Sequence, residues 1–574
     1  MKMKIERYIP IWIAFLAIPT TIAQNAKEGD DLVQPPITDS ENGLLDITLN
    51  LEYANYMGAA HTFTNTRLLN GTIPGPTIRL KPGDKMRIHY HNKLENQTTA
   101  FDIYEVNEAN GGKQYENKHH SPDVSNLHFH GAHVPGELPS DDIRLRVVPG
   151  DSFQFETIFP ENHMPGTHWI HPHAHGSSAL QLGGGAAMAM IVQDPPGYLP
   201  KQVEDAEDVL LLVQYNDLDE LTMISKEIGD TKLKISGGVD ERVGKQRDYR
   251  MVNGQYMPTI TLKPGEWQRW RIVYGSWLLP SLEFHFEKDE CEMQLLAKDG
   301  VYINDFPRKI LQGPIPSGGR ADIMVRCPNK GRYQFYDFDD EVILNVHVTG
   351  DEMETVDLER WEPTYPAYLQ NLQNSPPPDS TCSCPTDLDK CSGKNEFGYQ
   401  EFCVNGEPFD PLKYIHTVKF GEIVERTLMN IDDHPYHQHV YPFQLVGGVD
   451  GNDDLDNEQS TYFREGDWHD VIRVKNMDGD LSVRYRADVH TGRIFMHCHR
   501  LVHEDRGMMA QELVTEGANA KCSCDTFIDS LPVGNATGDL IGYNSTDTSG
   551  QVSRFTRGMK MFSLCLMFTL LRLI

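Results

Sequence analysis

The sequence predicts an all-β protein built as three consecutive β-sandwich domains, and three observations carry that prediction. From residue 45 to residue 525, short alternating segments rich in Val, Ile, Tyr and Thr are broken by Gly, Pro, Asn or Asp about every eight to twelve residues. One phrase then recurs: an extended segment, a turn on Pro-Gly or on Gly plus an acid, and a second alternating segment. It appears in TIRLKPGDKMRIHY (77–90), in TITLKPGEWQRWRIV (259–273) and, more loosely, in HTVKFGEIVERTLMN (416–430). Finally, a chain of 574 residues has room for two to four domains, and the spacing of the three phrases suits sandwiches of about 120 to 180 residues.

In chain order, residues 1–23 form a leader, 45–200 the first domain and 201–372 the second. A Pro- and Cys-rich linker is expected over 373–395, the third domain over 396–525 and a polar tail over 526–574. The leader MKMKIERYIPIWIAFLAIPTTIAQ has basic residues, an apolar run and small residues at 21 and 23, the pattern of a secretory signal peptide cut after Ala23. A short membrane anchor is the alternative, and Pro10 and Pro19 speak against it. Setting aside Cys498 and Cys565, eight cysteines remain (291, 327, 382, 384, 391, 403, 522 and 524), an even set for disulfides in an oxidising compartment. The connectivity stays open. Sequons at Asn70, Asn96, Asn535 and Asn544 agree with a secreted glycoprotein.

With 52 Lys plus Arg against 83 Asp plus Glu, the formal net charge is −31, which argues against nucleic acid as a partner. The chemistry lies in the histidines. LHFHG holds His128 and His130, HWIHPHAHG holds His171 and His173, HPYHQH holds His434, His437 and His439, and HCHRLVHEDRGMM holds His497, His499 and His503. Residues i and i+2 of a strand share a face, so each H-x-H aims two imidazoles one way; four such pairs, eight imidazoles in all, suffice for three metal ions. His133, His168 and His175 have no partner at this spacing and are expected to support the ligands or to be ordinary core residues.

The same alternation puts Cys498 on the face opposite His497 and His499, so thiolate and imidazoles serve different metals. A thiolate with two imidazoles and a weak thioether is a blue-copper electron-transfer set, which His434, His503 and Met508 complete. Zinc gives no reason for the thioether, and a catalytic thiol needs a base and an oxyanion site that these motifs do not supply.

These four motifs, in this order, resemble those of three-domain multicopper oxidases over about residues 45–525. HPYHQHVYPF and HCHRLVHEDRGMM are most similar to the bacterial and spore-coat laccases, copper efflux oxidases and bilirubin oxidases. NGTIPGPTIRLKPGD (70–84) and VNGQYMPTITLKPGEWQRWR (252–271) resemble the family's first and second domains. The resemblance implies three cupredoxin-like Greek-key domains and four copper ions. Cys498, His434 and His503 would hold the type 1 copper with Met508 axial, His128 and His437 the type 2 copper, and His130, His171, His173, His439, His497 and His499 the type 3 pair. It further implies a laccase-like oxidation of phenols or pyrroles coupled to reduction of O2 to water, with a metallo-oxidase of Fe2+, Mn2+ or Cu+ as the alternative.

Reduction of O2 consumes protons, and Glu504 matches the acid that follows the type 1 histidine in the efflux-oxidase subgroup. A second acid is expected after VPGE, but HFHGAHVPGELPSDD has Pro139 there, which leaves Asp141 and Asp142 as candidates. Arg500 is a second departure from the family pattern. For the reductant, the acidic run DGNDDLDNEQ (450–459) could attract Fe2+, Mn2+ or Cu+, although such runs are usually solvated loops; Asp432, Asp433, Glu504 and Asp505 flank the type 1 histidines, as carboxylates do in ferroxidases, without matching that arrangement at every position, and no methionine-rich insert is visible for Cu+. A copper-binding protein without turnover is the reading from another class. The terminal MFSLCLMFTLLRLI is too short to span a membrane; after a polar spacer and small residues near Ser549 it resembles a GPI-attachment signal, against a weak membrane tail or a disordered end.

Overall fold

Each copy of the recurring phrase forms a corner between two sheets. Thr77–Leu80 belongs to one sheet and Lys85–Asn92 to another; Thr259–Leu262 and Gln268–Tyr274 are divided in the same way, as are His416–Lys419 and Ile423–Met429. The glycine at each corner, Gly83, Gly265 and Gly421, has a φ of 88°, 81° and 89°, the left-handed region that favours glycine. The second strand of each phrase pairs in parallel with the strand that opens its sandwich: Lys85–Asn92 with Leu44–Met57, Gln268–Tyr274 with Glu207–Asp217, and Ile423–Met429 with Ser383–Lys394. The architecture is thus all-β, with one cupredoxin-like sandwich motif laid down three times. The computed structural model describes residues 27–95, 117–237 and 248–528, apart from 289, 339–340, 355, 395–397, 399, 450–460, 476–478 and 526. The leader, the tail with Cys565, the acidic run at 450–459 and the sequons at Asn96, Asn535 and Asn544 lie outside the described residues.

Alternation decides which side chains enter the cores. In KMRIHYHN (85–92) every second residue is buried, which turns Met86, Ile88 and Tyr90 into a core with Leu45, Ile78, Phe129 and Phe155. The second and third sandwiches share one continuous apolar cluster running from Trp270 and Phe335 to Tyr436 and Cys498.

Two boundaries differ from the sequence reading. The segment expected as a linker over 373–395 contains the strand Ser383–Lys394, which opens the third sandwich; its composition is linker-like, yet Cys384, Thr386 and Leu388 alternate inward. The strand Lys234–Gly237, within the span assigned to the second domain, pairs with His61–Leu69 of the first. The eight cysteines form Cys291–Cys327, Cys382–Cys522, Cys384–Cys524 and Cys391–Cys403, and Cys498 is the free cysteine among the described residues. Among the same residues no helix is long and apolar enough to cross a membrane.

A buried ion cluster ties the second sandwich to the third. Lys298 Nζ and Arg308 Nη1 reach Asp467 Oδ2 at 2.6 and 2.8 Å, and Arg308 Nη2 reaches Asp467 Oδ1 at 2.8 Å. Removing the carboxylate takes the ion-pair partner from buried Lys298, while Arg308 keeps Asp305 at 2.6 Å. Asp467→Ala is therefore expected to lower stability by about 3–5 kcal/mol, seen as a lower midpoint in chemical denaturation.

Candidate metal centre

The H-x-H elements lie where strands of the first and third sandwiches pair. His128–His130 runs antiparallel to Gly166–His171 with His128 opposite His171, and Tyr436–Gln438 runs antiparallel to Gly492–Cys498 with His437 opposite His497. Between the histidines, Phe129 and Cys498 point back into apolar cores. The eight imidazoles face one another instead, each no more than 2 % exposed.

Their ring nitrogens converge in groups. His173 Nε2 and His439 Nε2 approach His497 Nε2 at 3.0 and 3.2 Å, and His128 Nε2 approaches His437 Nε2 at 3.3 Å. His130, His171 and His499 form a third group, with ring centroids 5.0 to 5.8 Å apart. Anchors on the far nitrogen set these orientations: His171, His497 and His437 donate from Nδ1 to the carbonyls of Pro172, Cys498 and Asp470 at 3.0, 3.1 and 2.8 Å. Burial pushes the pKa of all eight down, to about 3 for His171 and about 4 for His497, so they are neutral, the form that ligates metal. His171 Nε2, His499 Nε2 and His130 Nδ1 are buried without a protein hydrogen-bond partner, which is costly unless a cation completes them. The donor set fits metal ions.

Cys498 Sγ lies 3.6 Å from His434 Nδ1 and 3.8 Å from His503 Nδ1, and the two nitrogens are 3.1 Å apart. One thiol and two imidazoles within this compass fit a trigonal copper site. Burial pushes the thiol up to about 12 and His434 down to about 4. Met508, fully buried, is placed by its backbone: its N–H donates to the His503 carbonyl at 2.9 Å, and its own carbonyl accepts from Cys498 N–H at 3.1 Å.

The candidate acids separate. Asp141 accepts from His128 Nδ1 at 2.9 Å and from Phe129 N–H at 2.9 Å, and burial raises its pKa. Asp142 turns instead to the Arg144 guanidinium at 2.5 Å, which makes it a structural partner and corrects its candidacy as a proton donor. Glu504 is fully buried; burial first, then the charge of Asp505, holds its pKa well above the usual carboxylate range. Its Oε1 lies 3.1 Å from His175 Nδ1, whose Nε2 lies 3.2 Å from Asn117 Oδ1. Asp505 accepts from the N–H groups of Gly176 and Ala179, so the last motif also fastens a helix of the first sandwich, Ser178–Gly183. His133 donates to the Val440 carbonyl and stacks on Tyr368 at 4.1 Å, a packing role.

Three further residues shape the centre and escape sequence reasoning. Asp470 Oδ1 meets His130 Nε2 at 3.2 Å, its carbonyl holds His437, and its carboxylate receives both arms of Arg320 at 2.6 and 2.5 Å. Ser317 donates to the His499 carbonyl at 2.9 Å. Beside them Gly131 has no room for a side chain, since a Cβ there would lie 2.1 Å from Arg320 Nη2.

Fold and site together define a copper-dependent oxidoreductase of cupredoxin-like architecture. Two family models, both described as multicopper oxidase, match residues 377–518 and 50–103. The chain is 24 % identical over 503 residues to a multicopper oxidase of Staphylococcus haemolyticus, covering 86 % of this chain and 94 % of that protein. It is also 24 % identical over 507 residues to an iron transport multicopper oxidase of Epichloe festucae, covering 77 % and 72 %. Among solved structures, a Campylobacter jejuni multicopper oxidase described as a metallo-oxidase aligns with a TM-score of 0.62 at 18 % identity, covering 85 % of this chain and 96 % of that one. A laccase from Pediococcus acidilactici aligns with a TM-score of 0.62 at 20 % identity, covering 86 % and 95 %. These matches, with the fold, support a three-domain multicopper oxidase.

Asp470→Asn keeps the shape of the side chain but removes the carboxylate that receives both arms of Arg320, leaving that guanidinium Asp299 at 3.6 Å, and weakens the hold on His130. Copper affinity of the histidine centre is expected to fall about 10- to 100-fold, measured by metal content after dialysis against a graded chelator.

Proposed function

We propose that the chain couples four one-electron oxidations of a reductant at the Cys498 centre to the reduction of one O2, with four protons, to two waters at the eight-histidine centre. The carrying observation is covalent: Cys498 contributes its sulfur to one centre while His497 and His499, its two neighbours, contribute to the other. In this reading Cys498, His434, His503 and Met508 would hold the type 1 copper, and His128 and His437 would hold the type 2 copper. His130, His171 and His499 hold one type 3 ion, and His173, His439 and His497 the other, for four in all. Bound copper supplies the one-electron couples and the affinity for O2.

The protein's own part is placement and proton supply. Asp141 fixes the ring and tautomer of His128 through Nδ1. Burial disfavours the Glu504 carboxylate and so favours its protonated form, and its contact with His175 gives that proton a replacement path. The reductant reading divides in two. Laccase-like oxidation of phenols or pyrroles is the broader one. Oxidation of Fe2+ or Mn2+ is favoured by the carboxylates of Asp433 and Asp389, which act on His434. The disulfides and the signal-like leader support a secreted or cell-surface protein; release from cells by a phosphatidylinositol-specific phospholipase tests the GPI-anchor reading of the C-terminal segment against a weak membrane tail or a disordered end.

Cys498→Ser is expected to abolish both the intense blue absorption and turnover, and retention of either overturns the type 1 assignment. Glu504→Gln is expected to slow oxygen consumption by about 10²- to 10⁴-fold while reduction of the Cys498 centre, followed anaerobically by bleaching, stays fast. Oxygen uptake by one copper-loaded sample with a phenol, Fe2+ and Mn2+ in turn separates the reductant readings. No uptake with any of the three supports copper binding without turnover.

A further inference from the structure

A cavity of about 200 Å3 lies where the first sandwich meets the second, and none of the histidines of either copper centre lines it. Arg79 of the strand Thr77–Leu80 and Ile191 of the strand Met188–Val192, partners in register, form the side given by the first sandwich. Asp208 of Glu207–Asp217 and Arg269 of Gln268–Tyr274, again partners in register, form the side given by the second, and Arg271, two residues on, shares the face of Arg269. The segment that connects the two sandwiches closes the rest, with Asp194 and Glu204 as its charged residues and Leu199, Val203 and Ala206 as an apolar wall.

Two of these arginines are buried, and their side chains are fixed. Arg269 and Arg271, 3 % and 5 % exposed, converge on Asp322 Oδ2 through Nη2 at 2.6 Å and Nη1 at 3.2 Å. Asp194 accepts from Arg269 Nη1 at 2.9 Å and from the Tyr302 hydroxyl, and both oxygens of Asp208 accept from Arg271 Nε, at 2.7 and 2.8 Å. Capacity of both signs is left over. Arg271 Nη2 has its nearest carboxylate oxygen, Asp194 Oδ2, at 3.5 Å, too long for a good hydrogen bond, and Arg79 gives Nε and Nη2 to Asp39 while keeping Nη1. On the acceptor side, Asp208 spends both oxygens on a single N–H and is 48 % exposed, and Glu204 commits Oε1 alone, to Gly197 N–H at 2.9 Å.

Three guanidinium groups and three carboxylates line the cavity, so its formal charge is zero. A lone anion or cation would gain one set of partners and be repelled by the other, and an anion would also have to approach a chain of net charge −31. A ligand that carries both charges avoids each penalty. The volume is that of roughly six or seven waters at about 30 Å3 each, enough for a small amino acid. We propose that this cavity binds a small zwitterion of the amino-acid class, its carboxylate on Arg271 Nη2 and Arg79 Nη1, its ammonium on Asp208 and Glu204, and its apolar part against Leu199, Val203 and Ala206. The occupant touches both sandwiches and so holds them together. The site shares no residue with the copper centres, and its occupancy does not depend on their assignment.

The test is calorimetric titration of the full chain, copper-loaded and copper-free, in a buffer without carboxylates or amines. L-valine serves as the zwitterion, with acetate and methylammonium as its separate halves, and the two forms of the chain distinguish binding in the cavity from chelation of copper. Wild type is expected to bind one L-valine per chain in both forms with a dissociation constant of about 1 mM or below, and acetate and methylammonium at least about tenfold more weakly. Arg79→Gln, at the exposed mouth of the cavity, is expected to weaken L-valine about tenfold, and Ala206→Phe, which fills the cavity, to abolish its binding. Saturation is expected to raise the thermal midpoint of wild type and to leave that of Ala206→Phe unmoved. No heat with L-valine up to about 10 mM, unchanged affinity in either variant, or acetate or methylammonium binding as tightly as L-valine overturns the proposal.

Discussion

The contact on which the rest of the centre depends is the carboxylate of Asp470 with the guanidinium of Arg320. Arg320 comes from the middle sandwich, Asp470 from the third, and the imidazole that Asp470 meets, His130, from the first. Both partners are at most 4 % exposed, so breaking the pair leaves Asp470 a buried charge without its guanidinium and Arg320 with the more distant Asp299 at 3.6 Å. Arg320 also donates to the Thr167 carbonyl of the first sandwich, and the Asp470 carbonyl fixes His437. One pair thereby sets the distance between the two sheets that carry the eight histidines. The middle sandwich contributes no histidine to the centre, yet it supplies the ion that holds the other two in register.

The threefold repetition explains how so exact a centre arises from simple parts. In each sandwich a strand crosses from one sheet to the other at a left-handed glycine, so the crossing strands start from equivalent positions. The first and third sandwiches then present antiparallel pairs whose alternate residues face a common space. Strand alternation also separates the two tasks of the last motif: the sulfur of Cys498 turns into the core beside His434 and His503, and the imidazoles on either side turn outward. The backbone itself joins the two ligand groups, with Cys498 in one and its neighbours His497 and His499 in the other.

What the sequence disclosed follows the range of the physics involved. Alternation acts between residues two apart, so the pairing of histidines and the opposed direction of Cys498 were legible in HFH, HQH and HCH. The fold class was legible for the same reason. Asp470 and Arg320 were not, since GDWHD and SGGRAD look like ordinary turns and their contact spans 150 residues. The choice of Asp141 over Asp142 depended on how the turn after Pro139 presents two adjacent acids, one toward His128 and one toward Arg144. The stretch around TCSCP was taken for a linker because Pro and Cys dominated its composition. Its inward alternation of Cys384, Thr386 and Leu388 was the weaker but truer signal.

The burial of the histidines has a further consequence for how the molecule is held together. Eight neutral imidazoles packed nitrogen to nitrogen, several without a hydrogen-bond partner, cost free energy in a protein interior. That cost is recovered when the lone pairs meet a cation, and the ligands of each group come from both the first and the third sandwiches. Metal binding is therefore linked to the docking of domains: whatever free energy the ions contribute counts toward keeping the two outer sandwiches together, and loosening that contact weakens every ligand group at once. The Asp505 anchor on the Ser178–Gly183 helix acts on the same junction, while the Asp470–Arg320 pair and the ion cluster of Lys298, Arg308 and Asp467 fasten the middle sandwich to the third. Buried polar contacts of this kind contribute little net stability compared with apolar packing, but they accept one geometry only. A centre whose ligands lie on separate domains needs that selectivity more than it needs additional stability.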